Sequence, residues 1–338
     1  MRGNYMGNPQ KQLSFQITNV IICGKQAISA EAKERVFAMA VDLKKLDTEK
    51  RNPATANIDT LSTLDMVKLI NVEDHKCAEA VKAVLPQVAR SIDMIYERIR
   101  AGGRLFYVGA GTSGRLGVLD AAECPPTYGV DPGLVVGLIA GGPPAFLKAV
   151  EGAEDSGELG KNDLIANRFS KNDALVGIAA SGRTPYVIGA MDYARSLGAP
   201  VIALTCCHDS EMSRHADVTI DPVPGPEVVT GSSRMKSGTC QKLVLNMLST
   251  CVMIKSGKVY GNLMVDVQAT NEKLVRRAIS IVCAATGENE ETAKAALDNC
   301  GFSCKTAIVM LLLGLDAKAA RAALDKADGR IAVAVNRD

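Results

Sequence analysis

The sequence predicts an α/β protein, a doubly wound parallel sheet flanked by helices with a small C-terminal helical subdomain. Three observations predict it. Short apolar runs at 105–108, 134–140, 175–179, 201–205 and 218–220 alternate with helical stretches between about 104 and 255. Strands that lack polar alternation and are separated by helices belong to a parallel sheet covered on both faces. Two of these runs pass into Gly/Ser turns that open helices, Gly109-Ala110-Gly111-Thr112-Ser113-Gly114-Arg115 and Ala179-Ala180-Ser181-Gly182-Arg183-Thr184. From about Asn271 onward the chain is Ala/Leu-rich and broken at Gly287, Gly301, Gly314 and Gly329, the punctuation of short helices.

Taken in order, residues 1–46 have weak periodicity and read as a variable leader. Met39 opens the more regular Met39-Ala40-Val41-Asp42-Leu43, so residues 1–38 are expected to precede a natural start or to be dispensable. Residues 64–100 are helical by pattern: Met66, Leu69 and Ile70 recur at i, i+3 and i+4, and Ile92, Ile95 and Ile99 keep nearly that spacing. Pro86 starts or kinks the second of two helices, and Gly102-Gly103 ends it. The helix after the first turn is expected to end at Glu123, stopped by Pro125-Pro126, and the next clear helix runs 185–197 with Gly198 as its stop. Asp221-Pro222-Val223-Pro224-Gly225-Pro226 is a loop by its prolines, and 236–254 is a helix rich in Leu, Val and Met. The run 308–313 reads as core rather than as a binding surface. The division that follows is 1–46, 47–270 and 271–338.

Composition excludes several classes. Aromatics are 4% of 338 residues and Trp is absent, which counts against stacking platforms for sugars or bases. A formal charge of +2 provides no basic field for nucleic acid. No apolar run approaches the roughly 18 residues that cross a bilayer, and the N-terminus lacks the pattern of a signal peptide, so a cytoplasmic protein with no membrane partner is expected. Its ten cysteines are then expected as reduced thiols. Cys206-Cys207-His208 has no second ligand pair at zinc spacing, and His75, His208 and His215 form no repeated pattern, so no metal site is expected.

The two turns carry the chemistry. Backbone N–H groups at a helix N-terminus point outward and the macrodipole favours negative charge there. Two such turns in one chain point to a phosphorylated ligand. Gly109, Gly111 and Gly114 also fit G-x-G-x-x-G, but a dinucleotide site expects an acid at the tip of the second strand, and 134–140 runs into Gly141-Gly142-Pro143-Pro144. Ser113 and Ser181 place hydroxyls beside the amides, which suits a compact phosphate. Thr230-Gly231-Ser232-Ser233, before the helix at Lys236, is a third candidate cradle, although capping is the commoner use of such residues. Asn262 and Asp266 could line a pocket. Two carboxylates, Glu123 and Glu154, are expected near one sheet edge, where a pair can divide labour between acid and base. The plain alternative is that both are solvated surface charges.

Together the runs GAGTSGRLGVLDAAECPPTYGV, EGAEDS, GIAASGRTPYVIGA, GPEVVTGSSRMKSGT, QKLVLNMLST and SGKVYGNLMVDVQATNEKL resemble the N-acetylmuramic acid 6-phosphate etherases, and TEKRNPATANIDTLSTLDMVKLINVEDHK fits the same family. The resemblance spans about residues 47–338; the leader is the one clear departure. It implies a sugar isomerase (SIS) phosphosugar-binding module over 47–270 and a helical tail over 271–338. It implies a lyase that cleaves the D-lactyl ether at C3 of N-acetylmuramic acid 6-phosphate to N-acetylglucosamine 6-phosphate and D-lactate, in cell-wall amino-sugar recycling, with no metal or organic cofactor. The matching catalytic positions are Glu123, as the acid for the departing oxygen and then the base for water, and Glu154, as the base at C2. Substrate contacts carry over to Thr112, Ser113, Ser181, Gly182, Thr184, Ser232 and Ser233. Arg115, Arg183 and Arg234 could hold anions. SIS modules commonly pair, so a homodimer with sites near the subunit boundary is implied. A non-catalytic phosphosugar sensor related to glucokinase regulatory protein, and an aldose–ketose isomerase, use similar modules and stay as alternatives.

Overall fold

The computed structural model describes residues 47–148, 150–267 and 271–336; the expectations for the leader lie outside them. The described residues form one compact unit. Three short 3-10 turns at Asp47–Glu49, Pro53–Thr55 and Ile58–Thr60 lead into α1 (Thr63–Lys82) and α2 (Leu85–Arg100). Ser62 caps α1 by accepting from the Asp65 amide, and Pro86 sits in the first turn of α2, where its missing N–H costs nothing.

The sheet is built from β1 (Leu105–Gly109), β2 (Val135–Ile139), β3 (Ala174–Ile178), β4 (Val201–Leu204) and β5 (Val218–Ile220), all parallel in the order β2-β1-β3-β4-β5. Between the strands come α3 (Gly111–Tyr128), α4 (Pro144–Leu147), α5 (Gly157–Ala166) and α6 (Pro185–Ser196); α7 (Lys236–Lys255) follows β5. Alternate strand residues face opposite cores. Leu105, Tyr107, Val176, Ile178, Ile202 and Leu204 pack with α1, α2, α3 and α7, whereas Phe106, Val108, Leu175, Val201 and Ala203 pack with α5 and α6. This double burial is why the strands read as unbroken apolar runs.

Beyond α7 a small antiparallel pair, β6 (Val259–Tyr260) with β7 (Leu263–Met264), turns at Gly261-Asn262. Helices α8 (Glu272–Thr286), α9 (Glu290–Asn299), α10 (Cys304–Leu313), α11 (Ala317–Lys326) and α12 (Ile331–Ala334) then build a core of their own around Val282, Leu297 and Ile308. Gly287, Gly301, Gly314 and Gly329 all have positive φ, so glycine ends these helices where the pattern broke. Asp266 has a structural use. It pairs with Lys258 at 2.9 Å and Lys305 at 2.8 Å and so ties the hairpin to α10. No single helix among the described residues is long and apolar enough to cross a membrane.

One expectation changes. Helix α3 does not stop at Pro125-Pro126 but runs through them to Tyr128, where Gly129 in the left-handed region donates its N–H to the Pro125 carbonyl. The two prolines remove donors only in the last turn, and Cys124 and Tyr128 are buried against the sheet, so packing holds the helix where propensity would end it.

Candidate active site

The sheet itself locates the site. From β1 the chain steps outward to β2, then crosses back over β1 to β3, so the connections diverge between the C-terminal ends of β1 and β3. Such a switch point leaves a crevice at the carboxyl edge of a parallel sheet. Both predicted turns lie there, since Gly109 and Ile178 are register partners.

Glycine permits each turn for a different reason. A Cβ on Gly109 would meet the Gly114 amide nitrogen at 2.7 Å, because the helix starts directly against the end of its strand. Gly182 has φ +65°, and a Cβ there would meet Ser210 Cβ at 2.3 Å and Thr205 Oγ1 at 2.6 Å. The loop after β4 packs on this turn, donating Met212 N–H to the Gly182 carbonyl at 2.9 Å. The third turn lies beside the first: a Cβ on Gly238 would touch Thr112 Cγ2 at 3.4 Å and the Ser233 carbonyl oxygen at 3.6 Å.

Hydroxyl use separates the predicted contacts. Ser113 is buried and donates to Gln241 Oε1 at 2.9 Å, joining α3 to α7. Its proton is therefore spoken for inside the protein. Thr112, Ser181, Thr184, Ser232 and Ser233 make no side-chain hydrogen bond among the described residues, and all five are half-buried. Thr184 stands at the N-cap of α6 without capping it. Arg115 donates through Nε and Nη2 to the carbonyls of Phe146 and Ala145 at 2.8 Å and lines the cavity that holds Glu154, while Arg183 and Arg234 have no ion pair or hydrogen bond among the described residues.

A buried network that sequence reasoning missed holds the third turn. Glu227, fully buried, accepts from the Lys236 and Ser237 amides at 2.9 Å each and from the Ser237 hydroxyl, so it caps α7 in place of Thr230, Ser232 or Ser233. Lys236, also fully buried, donates to Glu73 at 2.6 Å and to the Pro224 carbonyl at 3.1 Å. Asn52 donates to Glu73 and to the Pro226 carbonyl, and Thr55 to the Val228 carbonyl at 2.8 Å. Burial alone would raise the Glu73 pKa, but the hydrogen bonds from Lys236, Lys76 and Asn52 outweigh it and hold it at about 2. In the chain Glu73 stands beside Asp74 and His75, and Lys236 beside Ser237 and Gly238, polar surroundings that pattern reading assigns to the surface.

The carboxylates are placed differently from expectation. Glu154 is exposed on a 3-10 turn, Ala153–Asp155, and lines a cavity of about 270 Å³ with Ala110, Gly111, Ala140, Ala145 and Val150. It therefore borders the first turn. Glu123 is exposed on α3, twelve residues beyond Gly111, about 18 Å along a helix at 1.5 Å per residue. It lines another cavity of about 270 Å³ with Leu116, Leu119, Asp120, Lys242, Leu245 and Asn246, between α3 and α7. The expectation that both sit at one sheet edge does not hold within a single chain, because α3 carries Glu123 back along the strands.

The remaining polar candidates are tied down. Cys206 and Cys207 are buried free thiols, and His208 Nδ1 lies 2.7 Å from Asp221 Oδ2. Among the described residues no three metal-ligating side chains cluster.

The models for the glucokinase regulatory protein N-terminal SIS domain and for the SIS domain match residues 87–195 and 155–251. The chain is similar to the N-acetylmuramic acid 6-phosphate etherase of Photorhabdus laumondii, 61% identical over 293 residues, which cover 87% of this chain and 97% of that protein. It is also similar to N-acetylmuramic acid 6-phosphate etherase 1 of Vibrio cholerae, 60% identical over 89% of this chain and 100% of that protein. The like-named protein of Clostridium beijerinckii is 59% identical over 88% of this chain and 97% of its own length.

Proposed function

Since the chain belongs to the N-acetylmuramic acid 6-phosphate etherase family, we propose that it cleaves the D-lactyl ether of that sugar phosphate by elimination and then hydration. The reading rests on one observation above the rest, identity of 61% extending over 97% of a relative of that name. A phosphosugar needs hydrogen-bond donors, and the three turns carry hydroxyls, with Arg183 and Arg234, that have no partner among the described residues. The sensor and isomerase alternatives draw no support of their own.

Glu154 removes the proton at C2, which ring opening makes acidic by placing it next to the C1 aldehyde. The electron pair forms the C2–C3 double bond and expels the lactyl oxygen from C3, and Glu123 protonates that oxygen. Glu123, now ionised, deprotonates the water that adds at C3, and C2 is reprotonated. The steps are redox-neutral and draw only on carboxyl protons and water. Incubation of the purified chain with N-acetylmuramic acid 6-phosphate is expected to release D-lactate. Formation of a ketose with no lactate would support an isomerase and overturn this reading.

The separation of the two carboxylates adds a requirement. Glu123 and Glu154 reach one sugar ring when the protein pairs as a homodimer and each site takes one carboxylate from each copy. Exposed apolar side chains share both cavities, Val150 with Glu154 and Leu119 with Glu123, and Leu147, 90% exposed, ends the short helix α4. Apolar surface of this kind marks association. Refolding Glu123→Gln together with Glu154→Gln in equal amounts tests it. About half the dimers are then mixed, each with one intact and one doubly altered site, so about one quarter of the unaltered activity returns. Sites contained within one chain would regain none.

The phosphate contacts are Thr112, Ser181, the Gly182 backbone, Thr184, Ser232 and Ser233, with Ser113 acting from behind them. Ser181→Ala is expected to raise KM about tenfold or more, the loss of one hydrogen bond to a charged group, with kcat little changed. Ser113→Ala strands Gln241, whose Nε2 already has no partner, and is expected to cost about 1–3 kcal/mol of stability instead. Urea unfolding beside steady-state kinetics separates the two outcomes. The segments 47–270 and 271–338 serve in this reading as catalytic module and helical tail.

A further inference from the structure

The cavity around Glu123 has a composition that the acid–base scheme does not explain. Leu116, Leu119, Asp120 and Glu123 form one wall at helical spacing on α3, and Lys242, Leu245 and Asn246 form the other on α7. Its volume of about 270 Å³ lies below the roughly 300–1,000 Å³ of pockets that enclose a whole small-molecule ligand, so it suits a side arm of the substrate. Lys242 makes no ion pair or hydrogen bond among the described residues, and its charge faces Asp120. Asp120 Oδ1 accepts from Ser249 at 3.1 Å, and among the described residues neither its buried Oδ2 nor the nearby buried Tyr107 hydroxyl makes a hydrogen bond of good geometry.

We infer that this cavity receives the lactyl arm of the substrate, with Lys242 and Asn246 as donors to its carboxylate and the leucines around its methyl group. The inference rests on the etherase reading. If Glu123 protonates the ether oxygen, the lactyl carbons lie within two bonds of that oxygen, and the groups beside Glu123 must be the ones that hold them. They match in kind: one unengaged cation and an amide for a carboxylate, and Leu116, Leu119 and Leu245 for a methyl. A neighbouring anionic Asp120 would oppose a carboxylate, but burial raises its pKa to about 6 against the opposing effects of the Tyr107 and Ser249 hydroxyls and of Lys242. Asp120 therefore stays mostly ionised at pH 7, with about one tenth neutral, and an arriving carboxylate raises the neutral share. The assignment makes Lys242 a specificity-determining residue and leaves the Ser/Thr turns, with Arg183 and Arg234, to the phosphate.

The test crosses two enzymes with two substrates. Lys242→Met is compared with the unaltered chain on N-acetylmuramic acid 6-phosphate and on its analogue whose lactyl carboxylate is a primary amide. The expected result is a loss in kcat/KM of about 10- to 100-fold on the acid and several-fold less on the amide, with Lys242→Arg recovering part of the loss. Equal losses on both substrates, or no loss on either, would overturn the inference. The unaltered chain on the acid substrate reports on the parent reading alone: release of D-lactate there, with equal losses on the two substrates, removes only the lactyl subsite. No release from either substrate removes both.

Discussion

Glu154→Gln is expected to abolish D-lactate release and the exchange of the C2 proton with solvent together. A positioned general base contributes typically 10²–10⁴-fold, and the amide that replaces it cannot accept the proton. Glu123→Gln is expected to stop lactate release while C2 exchange continues in part, because proton removal precedes departure of the oxygen. Incubation in deuterated water, with mass spectrometry of recovered sugar and an assay for D-lactate, reads both events in one sample. Exchange that survives Glu154→Gln, or turnover near the unaltered rate in either variant, would remove that residue from its role. Both side chains are exposed and neither makes a hydrogen bond or ion pair among the described residues, so loss of activity without loss of stability is the expected pattern.

The second large effect concerns folding. Lys236→Met is expected to destabilise the protein by about 3–5 kcal/mol, the cost of stripping one partner from a buried ion pair. Glu73 is 1% exposed and Lys236 is fully buried, and their bond at 2.6 Å anchors the loop that carries Ser232 and Ser233. Urea unfolding at neutral pH measures the loss; a change under about 1 kcal/mol would place the anchoring elsewhere. The same pair has a pH signature. Glu73 titrates lower when folded, at about 2, than its ordinary 4.5, so its contribution is complete above about pH 4.5 and drains as pH falls toward 2. That contribution is on the order of 3 kcal/mol. The gap between Lys236→Met and the unaltered chain is therefore expected to narrow over this acid window and to stay constant above it.

Most of the scaffold was legible along the chain because it obeys short-range rules. Strands 105–109 and 174–178 are apolar on both faces since each face meets helices, and Gly182 and the glycines between the C-terminal helices stand where positive φ is needed. The hairpin at 259–264 escaped notice because strands of two residues carry no period. The end of α3 was misread because Pro125-Pro126 is a local signal, whereas the packing of Cys124 and Tyr128 that overrides it is not local.

By itself the sequence determined the class of fold, the order of its strands and turns, and the family, since each of these is written in residues adjacent along the chain. Only the tertiary structure decided which hydroxyls are free, that Glu227 rather than a serine caps α7, that Lys236 finds Glu73 at a distance of 163 residues, and that Glu123 and Glu154 open into separate cavities. The reason is physical. Backbone propensity and apolar period act over a few residues, whereas the partner of a hydroxyl or a buried charge is set by where folding brings remote segments together.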